Sequence, residues 1–200
     1  VGSEMCIRDR FQQVLDLLSV GTPAVVFVTG SAGTGKSTLI EVMRAELDRR
    51  LVVLAPTGVA ALNVRGQTIH SFFQLPPGPQ PKAKKVLGPA RDVIAQMDIL
   101  VIDEVSMVNP NLMDAIDQSL KINRGNDLPF GGVQMLFVGD VFQLAPISKK
   151  TEKELLLNIY PDGNFFFNSK SSNLSEGISL PVALIAMAIC IAVGKTSLVD

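Results

Sequence analysis

The stretch GSAGTGKS, Gly30 to Ser37, meets every fixed position of the pattern G-x-x-x-x-G-K-[S/T]. Its glycines let successive backbone N–H groups converge on phosphate oxygens, and a helix starting at its end adds partial positive charge. In such a loop Gly30, Ser31, Ala32, Gly33, Thr34, Gly35, Lys36, Ser37 and Thr38 are the candidate nucleotide-binding residues. Lys36 is placed to reach the β- and γ-phosphates, and the Ser37 hydroxyl to ligate Mg²⁺. Phosphoryl transfer to water also needs carboxylates. ILVIDE, Ile99 to Glu104, sets Asp103 at the C-terminal end of an apolar run, where ligands of open α/β sheets bind. Asp103 is the candidate second holder of Mg²⁺, acting through water. Glu104 is the candidate general base for the attacking water. Two acids paired with a phosphate loop point to hydrolysis of ATP and not to binding alone; the chain has no N-K-x-D stretch for reading guanine. A third stretch, VQMLFVGDVFQLAPI, ends an apolar run in Gly139 and Asp140 and brings in Gln143. An amide there has a donor and an acceptor with which to report a γ-phosphate. Taken alone, the same residues also read as a plain strand-to-loop cap.

These groups need a scaffold that gathers strand ends. AVVFVT, LVVLA, DILVID and VQMLFVG are short, β-branched or aliphatic runs, which suit strands buried on both faces. Between them lie helical patterns. STLIEVMRAELDRR carries a stripe at Leu39, Val42, Met43, Glu46 and Leu47, and NPNLMDAIDQSLK opens with Asn109 as N-cap and Pro110 at the first helical position. Strands alternating with helices predict an α/β fold with a mainly parallel sheet covered on both sides. LPPGPQPKAKK is Pro-rich and predicts an extended connection. The chain of 200 residues has a formal net charge of −1, so nothing global announces a nucleic-acid partner, although a local face is not excluded. Its two cysteines, Cys6 and Cys190, match no metal spacing and suggest a reducing compartment.

One segment fits neither a core helix nor a solvent loop. APTGVAALNVRGQTIHSFF, Ala55 to Phe73, leaves the C-terminal end of the second strand and mixes small residues, hydroxyls and the only histidine. Pro56, Thr57, Gly58, Thr68, His70 and Ser71 offer small hydroxyls and close backbone approach, suited to a phosphate backbone without reading bases. His70 has a second reading, a structural histidine bonded to a loop carbonyl. Phe72 and Phe73 read as core first and as a base-stacking platform second. Lys82, Lys84, Lys85 and Arg91 are the one local basic cluster, either a phosphate contact or a solvated charge run.

The four stretches GSAGTGKSTLI, APTGVAALNVRGQTIHSFF, ILVIDEVSMV and PFGGVQMLFVGDVFQLAPI, in this order, resemble the superfamily 1 DNA helicases of the petite-integration-frequency type, relatives of the RecD helicases. The resemblance runs from about Phe11 to Lys170. It implies a P-loop NTPase of the RecA-like three-layer fold, with ATP and Mg²⁺ as cofactors. It implies ATP-driven 5′-to-3′ movement on single-stranded DNA and unwinding at a single-strand/duplex junction, in repair, recombination or telomere maintenance. The family's phosphate loop matches Gly33, Gly35, Lys36 and Ser37, its metal ligand and base Asp103 and Glu104, and its γ-phosphate sensor Gln143. Its DNA segment matches Pro56 to Gly58 and Thr68 to Ser71. Such helicases normally carry a second RecA-like domain in cis, which supplies an arginine finger.

The two ends depart from the resemblance. Residues 1–10, VGSEMCIRDR, are patternless and read as non-native or disordered. Residues 171–200 hold no arginine and no room for a second core, so the chain reads as one RecA-like domain, residues 11–170, weakly active by itself. Within that tail Leu180 to Gly194 is free of charge for fifteen residues, short of the roughly 18 of a membrane span. It reads as a buried helix or a non-native tail, with a membrane anchor the less favoured option. A signal peptide is not expected. The location implied is the cytoplasm and nucleoid for a bacterial host, the nucleus or mitochondrion for a eukaryotic one. The reading from another class is a non-helicase, P-loop ATP-binding regulatory module, with or without a membrane tether.

Overall fold

The computed structural model describes residues 2–21, 25–78, 80–140, 156, 158–160, 166–169 and 182–186, with backbone alone for residues 2–8, 167 and 182–186. The elements in chain order are α1 (Gly2–Ser19), β1 (Val25–Thr29), α2 (Lys36–Glu46), β2 (Leu51–Ala55), α3 (Gly58–Asn63), β3 (Gln67–Thr68), α4 (Ile69–Phe72), α5 (Pro89–Gln96), β4 (Ile99–Ile102), α6 (Pro110–Arg124), β5 (Gln134–Gly139) and β6 (Val182–Ala186). The strands form one sheet in the order β3-β2-β4-β5-β1-β6, and every pairing is parallel. The predicted parallel α/β sheet is therefore present.

β4 and β5 are buried along their whole length, and β1 and β2 largely so, because their side chains alternate between two cores. Leu100, Ile102, Met135 and Phe137 face α5, α6 and the aromatic pair Phe72–Phe73. Ile99, Val101, Leu136 and Val138 face α1 and α2, which contribute Val14, Leu15, Leu18, Leu39, Ile40 and Met43. Each fully buried aliphatic side chain contributes about 1.5–3 kcal/mol, so the layers hold by many equal contacts. Helix α6 starts as its sequence predicts, with the Asn109 side chain accepting from the Leu112 N–H at 3.1 Å and Pro110 next in line.

At the N-terminal end α1 begins at Gly2. Val14, Leu15 and Leu18 anchor its later turns in the core, and a helix fixed at one end extends at little further cost per residue. The uncharged tail, for which a buried helix is one expectation, does not form a helix where it is described. Val182–Ala186 is β6, in register with β1 from Val25↔Val182 to Thr29↔Ala186. An uninterrupted apolar run carries no period that separates helix from strand; the open edge of β1 is what decides. Among the described residues no helix is long and apolar enough to cross a membrane.

Strand order sets the site. β5 lies between β1 and β4, so three strand ends meet on one edge: β1 leads into the phosphate loop, β4 into Asp103, and β5 into Asp140.

Candidate nucleotide and nucleic-acid site

The phosphate loop is held open by its own backbone. Gly33 and Gly35 have φ of 79° and 89°, a region that L side chains rarely adopt. Gly35 caps α2 with no side-chain acceptor, so the first N–H groups of the helix stay unbonded by the cap and are available to an anion. The Gly30 N–H donates to the Gly139 carbonyl at 3.2 Å and ties the loop to the end of β5. The Thr34 hydroxyl donates to the Ser31 carbonyl at 2.9 Å and its N–H to the same oxygen at 3.3 Å. Thr34 is buried, so its side chain braces the loop. The Lys36 ammonium donates to the carbonyls of Gly30 and Ser31 at 2.6 and 2.8 Å. It lies folded over the loop, on oxygens that a phosphate would replace.

Ala32, Gly33, Gly35, Lys36, Ser37, Thr38, Asp103 and Glu104 line one cleft of about 360 Å³. The structure thus brings the loop and both acids together, as the sequence predicts. Gly30, Ser31 and Thr34 form the frame of the loop and do not line the cleft. Asp103 is 6% exposed. Burial first, and the neighbouring Glu104 second, push its carboxyl up to about 6, opposed by Lys36. A buried carboxylate of this kind is a site for a cation, and with the Ser37 hydroxyl across the same cleft the donor set suits Mg²⁺, a hard ion that takes oxygen ligands.

Glu104 has φ 50° and ψ 42°, a left-handed conformation uncommon for a residue with a side chain and typical of functional positions. A 3₁₀ turn, Val105–Met107, follows at once. Its backbone lies against Gly139: a Cβ there would come within 3.1 Å of Val105 Cγ1 and 3.3 Å of the Ser106 nitrogen. Gly139 therefore lets the acid-bearing turn sit against the end of β5. Sequence reading took this glycine only for the end of a strand. Gln143 lies outside the described residues.

The Ala55–Phe73 segment folds into α3, β3 and α4. Its two threonines cap the two helices: the Thr57 hydroxyl accepts from the Ala60 N–H at 3.2 Å, and the Thr68 hydroxyl from the Ser71 N–H at 3.3 Å. Each hydroxyl keeps its proton to donate outward. Gly58 and Ser71 are exposed; Pro56, Thr57, Thr68 and His70 are half-buried. Among the described residues the His70 ring has no hydrogen-bond partner, so the loop-carbonyl reading is not what the structure shows. Burial lowers its pKa and favours the neutral ring at neutral pH. Phe72 and Phe73 are buried, edge to face at 5.0 Å, and belong to the core. None of these residues lines the nucleotide cleft; they follow the end of β2 and pair beside it through β3.

The Pro-rich connection is pinned. Gln74 donates to the Leu87 carbonyl at 2.8 Å and accepts from the Leu87 N–H at 3.3 Å. Asn123 accepts from the Val86 N–H at 2.8 Å and donates to the Lys84 carbonyl at 3.2 Å. Lys82, Lys84, Lys85 and Arg91 stand exposed on it or just beyond.

The family model described as PIF1-like helicase matches residues 7–161. The chain belongs to the PIF1-like helicase family. It is 36% identical over 190 residues to the ATP-dependent DNA helicase PIF1 of Saccharomyces cerevisiae, covering 90% of this chain and 21% of that protein. It is 37% identical over 151 residues to the human ATP-dependent DNA helicase PIF1, covering 73% and 22%. Among solved structures, Pif1 helicase from Bacteroides in complex with ADP-AlF3 and ssDNA superposes with a TM-score of 0.79 at 36% identity, over 89% of this chain and 41% of that one. The chain thus spans about a fifth of the curated relatives it matches. The PIF1-like match agrees with the RecA-like reading and leaves the regulatory-module alternative without support.

Proposed function

We propose that the chain is a motor domain of an ATP-dependent DNA helicase, binding Mg-ATP in the 360 Å³ cleft and coupling its hydrolysis to movement along single-stranded DNA in the 5′-to-3′ direction. The observation that carries this is the convergence of Lys36, Ser37, Asp103 and Glu104 on one cleft. The capped Thr57 and Thr68 turns stand on the neighbouring strands of the same sheet. Lys36 leaves the loop carbonyls for the β- and γ-phosphates. Ser37 and Asp103 hold Mg²⁺, which neutralises charge on the phosphates when bound. Glu104, beside Asp103 in the strained turn, takes the proton of the attacking water. Gln143 is the proposed sensor of the γ-phosphate. Thr57, Gly58, Thr68, His70 and Ser71 meet the DNA backbone, and the lysines at 82, 84 and 85 supply further charge near it. The partners are single-stranded DNA and its junction with duplex.

Among the described residues no arginine lines the cleft. We infer that a second RecA-like domain supplies it; such a finger is worth roughly 10³–10⁵ in turnover in related enzymes.

The test combines two titrations, a fluorescent ATP analogue with Mg²⁺ and a labelled single strand followed by anisotropy at low and high salt. Lys36→Ala should abolish the first, and Thr57→Ala with His70→Ala should weaken the second. Full nucleotide affinity in Lys36→Ala, or DNA affinity that ignores both salt and the segment, overturns the assignment.

A further inference from the structure

A second and larger cleft, about 430 Å³, shares no lining residue with the candidate nucleotide cleft. Arg44, Leu51, Val53, Arg65, Gly66 and Phe72 are among the residues that line it. It covers the outer edge of β2. β3 pairs there with Leu54 and Ala55 only, so among the described residues Leu51 to Val53 have no strand beside them on that side. The carbonyls of Arg50 and Leu54 face β4, where they accept from Ile99 and Asp103. By the two-residue period of a strand, the N–H and C=O of Leu51 and the N–H of Val53 face the open edge. The Val53 carbonyl is taken up by the β3 side, where Gly66 packs so closely that a Cβ would lie 2.4 Å from that oxygen.

Two features define what this edge fits. Part of its lining is apolar, from Phe72, Pro89, Ala90 and Val93. Its rim is cationic: Arg44 and Arg65 are both exposed, and the Arg44 guanidinium donates to the Arg65 carbonyl at 3.2 Å. Among the described residues neither arginine has a carboxylate within ion-pair distance, whereas Arg49 and Arg50 both pair with Asp98. Unpaired strand-edge groups are a template for another strand. Two uncompensated guanidiniums beside them select for carboxylates, which they bind in a planar fork. A nucleic-acid phosphate would match the guanidiniums and the N–H groups, but it leaves the outward Leu51 carbonyl and the apolar lining without a counterpart.

We propose that this cleft is a strand-addition site, at which an extended, acidic segment of a partner protein pairs with Leu51 and Val53 and sets its carboxylates on Arg44 and Arg65. The cleft shares no lining residue with the nucleotide cleft and none with Pro56–Gly58 or Thr68–Ser71, although Arg65, Gly66, Gln67 and Phe72 belong to the same Ala55–Phe73 segment.

The test uses a fluorescein-labelled short peptide that alternates valine and glutamate, titrated with the whole chain, alongside amide chemical-shift mapping. Saturable binding is expected, with the Leu51 and Val53 amides shifting and those of Gly33 and Lys36 unmoved. Arg44→Glu with Arg65→Glu, both on the surface, should weaken binding by about two- to thirtyfold, the cost of losing on the order of two exposed charge pairs. A peptide with lysine for glutamate, or one N-methylated at alternate amides, should not bind. The idea fails if no saturable binding is seen. It also fails if charge reversal or N-methylation leaves affinity unchanged. Displacement of the peptide by an unlabelled oligo-dT, lost in the same double variant, would instead make the cleft a nucleic-acid site.

Discussion

Gly139→Ala isolates the contact that places the proposed base. The added Cβ would lie 3.1 Å from Val105 Cγ1 and 3.3 Å from the backbone nitrogens of Val105 and Ser106. Carbon atoms rest at about 3.5–4.0 Å, so the turn after Glu104 must retreat by roughly 0.4–0.9 Å. Both partners are fully buried β5 and 3₁₀-turn groups, and crowding of this kind costs about 1–3 kcal/mol. For a chain of this size that lowers Tm by about 2–12 °C. Misplacement by about 1 Å costs up to about 10²-fold in rate, so turnover should fall about tenfold or more while nucleotide affinity, set by the loop, stays within about twofold. Thermal unfolding, analogue binding and single-strand-stimulated ATP hydrolysis read the three quantities. Val105→Ala removes the nearest atom, so Gly139→Ala in that background should lose much less than the sum of the two single losses. Strict additivity, or turnover untouched despite lost stability, would refute the packing argument.

Thr57→Ala removes an N-cap and should cost about 1 kcal/mol of stability, whereas Thr57→Ser keeps the acceptor and should restore it; thermal unfolding of both variants checks this. The Asp98 carboxylate accepts three bonds from Arg50, at 3.0, 3.1 and 3.1 Å, and the Arg50 guanidinium first, against some burial, holds its pKa below the ordinary value. A depressed folded pKa contributes stability above the unfolded value near 3.9 that is lost as pH falls through the folded one. Asp98→Asn should therefore be less stable than the parent at neutral pH and converge with it in acid. His70→Gln should leave the salt dependence of DNA binding at pH 7.5 unchanged, because a neutral ring neutralises no phosphate; a slope lower by about 0.7 would mean a protonated ring.

The parallel sheet and the proposed nucleotide site were legible in the chain itself. A phosphate loop uses consecutive residues, because the ligand is bound by backbone N–H groups and by a helix that starts where the loop ends. GSAGTGKS thus carries its own geometry, and Asp103 announces itself as an acid ending an apolar strand. Asn109 and Pro110 likewise mark the start of α6, since capping is a local bond.

Other features depend on neighbours remote in sequence. Whether Phe72 and Phe73 stack on bases or fill the core is set by α5, α6 and β5 packing over them. Val182–Ala186 is a strand because β1 offers an edge; its composition allows a helix equally. The role of Gly139 appears only when the turn after Glu104, at the C-terminal end of β4, closes against it. The open edge of β2 exists because β3 stops after two residues. Sequence by itself determined which residues could bind a nucleotide, because those bonds are local. Tertiary structure alone decided which faces are buried and which strand edge stays free, because both are set by what packs alongside.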